Sequence, residues 1–307
     1  MSNVDNTKIF NKVLNGVRGK LTFNKLIKPI TWLRVGGEAE LFFQPYDLDD
    51  LCDFLHRLPM SVSVFPIGVC SNLLVGDYGV GGAIVRLGRE FTKISCQEEF
   101  ITAGAGLLDS KVADYAASNG VDLSFLKTIP GTIGGAIKMN AGCYGKEFKD
   151  IIVSVQAIDF YGKVLTIPAS NISFNYRSTD LSKNLIFLSG TFKGTMSSKE
   201  KIKLKIEDLK NKKELTQPQR VKTSGSTFKN PVNQTNKKVW ELIKESIDIK
   251  EANKMFGDAT LSEKHCNFLI NKEKASSKDM KNLINFIKEN VYKKTGVNLE
   301  LEIVLTS

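Results

Sequence analysis

The spacing of apolar residues changes period repeatedly along the chain, and each change marks a predicted element. Ile9, Val13 and Leu14 fall at helical spacing and, with the less regular residues 21–28, predict a packed helical leader. A strand pattern starts at Thr31, breaks at Gly36-Gly37 and resumes as Glu40-Leu-Phe-Phe, a break that a bulge or a close backbone approach would cause. Leu48, Leu51, Cys52 and Leu55 form one stripe of a helix ended by Pro59, and a strand over residues 61–65 follows. Further strands are predicted over residues 83–87 and 100–102, then a helix from about 108 to 119. Residues 151–159 alternate as a strand, Gly162 marks a hairpin turn, residues 163–167 return, and residues 185–189 add another strand. Toward the end come a helix near 238–246, a short strand over 265–271, and a long helix. The stripe Met280, Leu283, Ile284, Ile287 and Val291 is its buried face, with Ser276-Ser277 at its start and Gly296 at its close. In the last strand Val297, Leu299, Leu301, Ile303 and Leu305 share one side, which sends Asn298, Glu300 and Glu302 to the other.

Between these elements lie stretches with little hydrophobic pattern and much glycine. Residues 128–145 place five glycines and Pro130 among eighteen positions, with Lys138 the only formal charge. That density suits backbone that turns through positive φ or brings amide groups against an anion such as a diphosphate. A second small-residue loop, residues 66–77, carries Ser71 and Asn72, whose side chains could bond a phosphate or a ring edge. A third, Ala103-Gly-Ala-Gly106, follows a strand and precedes a helix, as a dinucleotide fingerprint does. Its third glycine position is Asp109 and no βαβ unit closes around it, so a Rossmann domain is rejected.

Composition narrows the class. A chain of 307 residues predicts about two domains, each able to bury a core without disulfides or metals. Its longest apolar runs are too short to cross a bilayer and its first residues lack the regions of a secretory signal, so a cytoplasmic protein is expected, with no membrane insertion. Five scattered cysteines without a C-x-x-C pair suggest free thiols and no metal site. The net charge of +10 raises the question of nucleic acid. Its densest lysine run, residues 199–213, spaces Ile202, Ile206 and Leu209 helically and has no interleaved aromatics, which describes a solvated helix face. No nucleic-acid partner is expected, and a basic surface equally suits small polyphosphate anions.

Several segments taken together resemble the UDP-N-acetylenolpyruvoylglucosamine reductases. They are Thr31-Trp-Leu-Arg-Val-Gly-Gly, Ser71-Asn-Leu-Leu-Val, Ile129-Pro-Gly-Thr-Ile-Gly-Gly-Ala with Met139-Asn-Ala-Gly, Phe174-Asn-Tyr-Arg, Gly225-Ser-Thr-Phe-Lys-Asn-Pro and Leu299-Glu-Leu-Glu-Ile, in the family's order. The resemblance implies an α+β protein: a vanillyl-alcohol-oxidase-type (PCMH-type) FAD-binding domain of two lobes over residues 31–198, after a leader over 1–30. A C-terminal α+β substrate-binding domain over 199–307 would follow. The short interval from Arg177 to Gly225 is similar to the form without a substrate-capping insertion. It implies FAD as cofactor, NADPH as reductant, and a UDP-sugar enolpyruvyl ether as substrate. Gly68, Ser71, Asn72, Pro130, Gly131, Thr132, Gly134, Gly135, Asn140, Gly142 and Gly145 would hold the flavin nucleotide. Arg177, Ser226 and Glu302 would be catalytic, and Tyr176, Lys229, Asn230 and His265 would lie at the substrate.

Those roles make chemical sense. Hydride delivered to the methylene of an enol ether pushes charge onto the adjoining carboxylate, which a guanidinium and a hydrogen-bond-donating carboxyl can stabilise. The neighbouring carbon then needs a proton, and a serine hydroxyl can supply it. Two departures stand out. Val69-Cys70 replaces a glycine-rich run, so a left-handed backbone at position 70 would strain the cysteine, and Asp258 stands where glycine is common. The alternatives are a flavoprotein oxidase of the same fold, for which no His or Cys in a covalent-flavin context is present, and a catalytically silent nucleotide-binding protein.

Overall fold

The computed structural model describes residue 10 and residues 14–306. Two compact units divide the chain, and they interleave. One contains the residues up to Lys25, then Ala39–Gly68 and Gly81–Lys210; the other contains Leu26–Glu38, Val69–Val80 and the residues from Asn211 onward. The linear boundaries at 30/31 and 198/199 expected from the sequence do not describe this division. Two short excursions, 26–38 and 69–80, join the C-terminal residues, drawn there by long-range pairing.

In the first unit an antiparallel five-stranded sheet runs in the order Val164–Pro168, Ile152–Asp159, Leu185–Lys193, Phe100–Gly104, Ile94–Gln97. Alternation serves both of its faces. Val155, Ala157, Ile101, Ala103 and Phe187 pack with the helices Asp109–Ser118 and Ile133–Lys138 in one core. Ile158, Ile186 and Leu188, at opposite parity, join Leu41, Phe43, Leu51, Phe54 and Phe10 in another. That second core is shared with a four-stranded sheet in the order Lys20–Leu26, Glu38–Gln44, Val80–Arg86, Val64–Ile67. The helix Leu48–Arg57 packs into the same core, and the Asp47 side chain starts it by accepting the Asp50 amide at 2.9 Å. Of the expected helical leader, Ile9 and Val13 lie outside the described residues; residues 20–26 form an edge strand instead of helix.

The second unit has its own core, in which Leu33, Val35 and Leu74 pack with Phe228, Leu242, Ile243, Leu283, Ile287 and Val291. Its long helix, Ser277–Thr295, begins with a reciprocal cap: Ser276 Oγ accepts the Asp279 amide at 3.0 Å, and Asp279 accepts the Ser276 amide at 2.9 Å. Gly296, at φ +72°, closes it. The strand Val304–Thr306 pairs in parallel with Leu73–Val75, and Asn271 Nδ2 donates to the Leu33 carbonyl at 3.0 Å. Those bonds join both excursions to the C-terminal residues. The glycines at 36 and 37 mark a close approach, since a Cβ on Gly37 would stand 2.2 Å from the Asp77 carbonyl oxygen.

The final strand departs from its predicted alternation. Val297, Leu299 and Ile303 are buried as expected, but the chain bends at 302–303, so Leu305 is exposed and Thr306 buried. Pairing changes there too, from the residues around Thr227 to those around Asn72. The predicted strand over 265–271 shortens to Leu269–Asn271, paired with Ala259–Leu261.

Candidate active site

In the first unit the glycine-rich stretch folds as a turn, the short helix Ile133–Lys138, and a tight hairpin over residues 142–147. Its glycines serve different ends. A Cβ on Gly68 would sit 2.2 Å from Thr132 Oγ1, and one on Gly142 would sit 2.5 Å from the Lys146 carbonyl oxygen, so both positions are closed by the fold itself. Gly134 packs on Ala105, whose Cβ would lie 3.2 Å from an added methyl. Gly145 turns through φ +79°. Gly135 differs from all of these. It is exposed, its φ is negative, and the nearest atom to an added Cβ is Thr132 Oγ1 at 3.8 Å. Among the described residues nothing requires glycine there, whereas a ligand lying against this helix would.

The expected row of amides facing a diphosphate is shorter than the glycine count suggests. The Ile133 amide donates to the Leu107 carbonyl and the Gly134 amide to the Ala105 carbonyl, each at 2.9 Å. The Ala103-Gly-Ala-Gly106 turn therefore supports the central stretch, and its strand lies between antiparallel neighbours, which explains why its spacing imitates a dinucleotide fingerprint without being one. Pro130 is exposed at the entry, and Gly131 accepts the Asp109 amide at 3.1 Å.

Asp109 itself is fully buried, with neither carboxylate oxygen hydrogen-bonded. Burial holds its carboxyl well above the usual carboxylate range. An unfolded chain ionises this residue near pH 3.8 while the folded chain keeps its proton, so this group's contribution to stability falls as pH rises above about 4. Asp109→Asn, which cannot ionise, should melt close to wild type near pH 4 and progressively higher than wild type toward pH 8. Thermal unfolding across that range checks it; parallel melting curves at every pH would contradict it.

Arg177 stands at the tip of the hairpin joining Phe174–Asn175 to Ser178–Thr179, at φ +57°. A turn-tip arginine normally reaches into solvent, but this side chain is only 17% exposed. Its Nη2 donates to the Gly142 carbonyl at 3.1 Å, and the guanidinium lies 4.8 Å from the Tyr176 ring centre. Nη1 lies 3.6 Å from Glu147 Oε1. Asn140, expected at the cofactor, has another task for its side chain: it is buried, donates to Glu147 Oε2 at 3.1 Å and to the Asn175 carbonyl at 3.0 Å, and accepts the Lys149 amide at 3.0 Å.

In the second unit Ser226 and Glu302 are brought onto neighbouring extended segments. The Glu302 amide donates to the Thr227 carbonyl at 2.9 Å, and Phe228 bridges Leu301. On its other side the serine segment is fastened to residues 267–268. Thr227 donates to the Asn267 carbonyl at 2.7 Å, Ser226 bridges Phe268, and the Asn267 side chain accepts from and donates to the Phe228 backbone at 3.0 and 2.9 Å. Gly225, at φ +80°, makes the turn that enters it. Asn267 was not legible as the support of this segment, because His265-Cys-Asn-Phe reads only as part of a short strand.

Asn72 Nδ2 donates to the Glu302 carbonyl at 3.0 Å and so holds the chain at Glu302. Ser71 is partly exposed beside it, and Cys70 adopts φ +55°, the left-handed backbone in which cysteine is strained. Lys229 Nζ lies 3.6 Å from Glu300 Oε2. Asn230 Oδ1 accepts the Val239 amide at 3.0 Å and so caps the helix Val239–Ser246, a structural use of a residue expected at the substrate. His265 stacks edge-on against Phe268, and its Nδ1 accepts the Asn267 amide at 3.4 Å. Burial, helped by the nearby charge of Lys244, lowers its pKa below the usual imidazole value. That shift favours the neutral form of the ring.

Comparison with known proteins decides the family. Residues 217–306 match the profile described as UDP-N-acetylenolpyruvoylglucosamine reductase, C-terminal domain, and residues 39–168 match an FAD binding domain. A protein of Pelagibacter ubique named UDP-N-acetylenolpyruvoylglucosamine reductase is 48% identical over 95% of this chain and 96% of its own length. The chain belongs to the UDP-N-acetylenolpyruvoylglucosamine reductase family. A second member, from Ruegeria pomeroyi, is 41% identical over 94% of the chain and 96% of its own. The crystal structure of the reductase from Thermus caldophilus is similar with a TM-score of 0.78 at 28% identity, covering 94% of this chain and 99% of that one. The protein is thus an α+β, FAD-binding oxidoreductase with the vanillyl-alcohol-oxidase-type cofactor domain. The residues of the first unit fit that cofactor. Gly135 leaves room where a side chain would obstruct, and the only charge on the short helix, Lys138, turns away to the Leu181 carbonyl. Among the described residues no helix is long and apolar enough to span a membrane, and no cluster of acidic, histidine or cysteine side chains could hold a metal ion.

Proposed function

We propose that this enzyme reduces the enolpyruvyl group of UDP-N-acetylglucosamine enolpyruvate to UDP-N-acetylmuramate with NADPH, in the cytoplasm, as a step of peptidoglycan precursor synthesis. The observation that carries the reading is the pairing of Ser226 and Glu302 on hydrogen-bonded segments, in a chain whose relatives bear this activity in their names. FAD supplies the hydride. In the first unit Gly68, Pro130, Gly131, Thr132 and Gly134 would shape its site and Gly135 would leave room for it, while Gly142 and Gly145 form the hairpin that follows and Asn140 holds the chain there.

Arg177 is the guanidinium that stabilises the charge arriving on the substrate carboxylate, and Glu302 is the carboxyl group that serves the reaction as a hydrogen-bond donor. Ser226 gives its proton to the carbon next to the carboxylate and recovers one from solvent. Tyr176 supports the Arg177 guanidinium. His265 offers its imidazole to the polar substrate.

Arg177 and Glu302 act only once charge reaches the substrate, so Arg177→Ala and Glu302→Gln should lose flavin absorbance with NADPH at the wild-type rate. They should then recover it slowly on adding the enolpyruvyl substrate, by roughly 10²-fold or more. Anaerobic stopped-flow absorbance follows both phases. Failure of either variant to bleach while flavin stays bound would remove its proposed role. The same titration tests the whole reading: bleaching by NADPH excludes a silent nucleotide-binding protein, and recolouring by the substrate without oxygen excludes an oxidase.

A further inference from the structure

We infer that Glu147 is a positioning residue for Arg177: its carboxylate fixes the guanidinium that the proposed reaction uses, and Asn140 in turn fixes Glu147. The inference rests on the catalytic reading of Arg177 and extends it to Glu147, which no motif singled out, and to Asn140, which the sequence placed at the cofactor.

Arg177 has a long, freely rotating side chain on a two-residue turn, in a left-handed backbone that does not by itself aim the guanidinium. Three contacts do so, two of them from the 140–149 stretch. The Gly142 carbonyl takes Nη2 at 3.1 Å, the Glu147 carboxylate faces Nη1 at 3.6 Å, and the Tyr176 ring lies along one side of the group. Glu147 is itself held. Its Oε2 accepts from Asn140 Nδ2 at 3.1 Å and meets Lys149 Nζ at 2.9 Å, and its amide donates to Asp150 Oδ2 at 2.8 Å. Asn140 also bonds the Asn175 carbonyl, at the base of the hairpin that presents Arg177. The glycine-rich stretch, the 142–147 hairpin and the Arg177 hairpin are therefore tied together by two side chains, and both ties end at Glu147 or beside it. Side chains 17% and 20% exposed leave the Arg177–Glu147 pair little room to reorganise when substrate arrives.

Charge and position make opposite predictions here. Glu147→Gln removes a negative charge beside the group that binds an anionic substrate. Were the local field all that mattered, KM for that substrate would fall and reoxidation would quicken. A positioning role predicts slower reoxidation, by about 10- to 100-fold, with KM unchanged or lower, because a misplaced donor loses the transition state more than the ground state.

The test is anaerobic stopped flow on the flavin-loaded enzyme, with Glu147→Gln, Arg177→Ala and the double variant, using NADPH and then the enolpyruvyl substrate. The expected result is that Glu147→Gln bleaches normally and reoxidises slowly, and that adding it to Arg177→Ala costs little more. Added guanidinium should partly restore Arg177→Ala, and less so when Glu147 is also glutamine. Glu147→Asp, which keeps the charge but withdraws it by one methylene, is the second arm should glutamine prevent flavin binding; its reoxidation should also be slowed. Wild-type reoxidation in both Glu147 variants, or losses that multiply in the double variant, would overturn the inference. An Arg177→Ala enzyme that reoxidises at the wild-type rate would instead refute the reading of Arg177, with Glu147 intact in that variant.

Discussion

Gly135→Leu should give a folded, colourless protein whose flavin-free form melts no lower than flavin-free wild type. Glycine inside a helix is less stable than residues with a side chain by roughly 0.5–1 kcal/mol, and here φ is negative, the position is exposed and the nearest neighbour of an added Cβ is at 3.8 Å. By the rules of the fold the substitution is neutral or mildly stabilising. By the rules of a cofactor lying against residues 132–135 it is ruinous, since the side chain occupies the space into which the ligand packs. The two effects have opposite signs, which ordinary damage cannot imitate. Gly134→Val provides the contrast, because its side chain is driven into Ala105 and should lower both flavin content and melting temperature. Flavin-to-protein absorbance ratios and melting of the stripped proteins measure the two quantities separately, and stoichiometric flavin in Gly135→Leu would remove this glycine from the cofactor site. Flavin-free samples must be compared with each other, because bound ligand itself raises stability.

Ser226→Ala should bind FAD, be reduced by NADPH at the wild-type rate, and pass the hydride to the enolpyruvyl substrate about 10²–10⁴-fold more slowly, the usual loss when a positioned general acid is removed. The backbone around Ser226 depends on its neighbours and not on its hydroxyl. Thr227 is bonded to both Asn267 and Glu302, the Asn267 side chain secures Phe228, and Gly225 makes the turn. Alanine should therefore leave the segment in place. Ser226→Cys sharpens the test, because a thiol can also donate a proton and should recover part of the rate, whereas a purely structural role predicts no recovery. Reoxidation should rank serine above cysteine above alanine, and equal rates for alanine and serine would exclude the proton-donor role.

Local pattern alone determined a good deal of this protein. The stripe from Met280 to Val291, the cap at Ser276 and the close at Gly296 are set by residues within a few positions of one another, and the helix follows from them. Alternation in residues 152–159 served both faces of a sheet for the same reason. The short motifs in their order pointed to the family that the comparisons then showed. What required the tertiary structure were the bonds made across long separations. Nothing near residues 26–38 or 69–80 announces that they fold with the C-terminal part of the chain, since their partners, such as Asn271 for Leu33 and Val304 for Leu73, lie more than two hundred positions away. The division of labour among glycines was equally hidden, because an added Cβ on Gly68, Gly134 or Gly135 differs only in what stands opposite it. So too with the asparagines: Asn72, Asn140, Asn230 and Asn267 present the same amide to sequence analysis, and only the carbonyls, amides and carboxylates folded within reach determine that each secures the chain around a site.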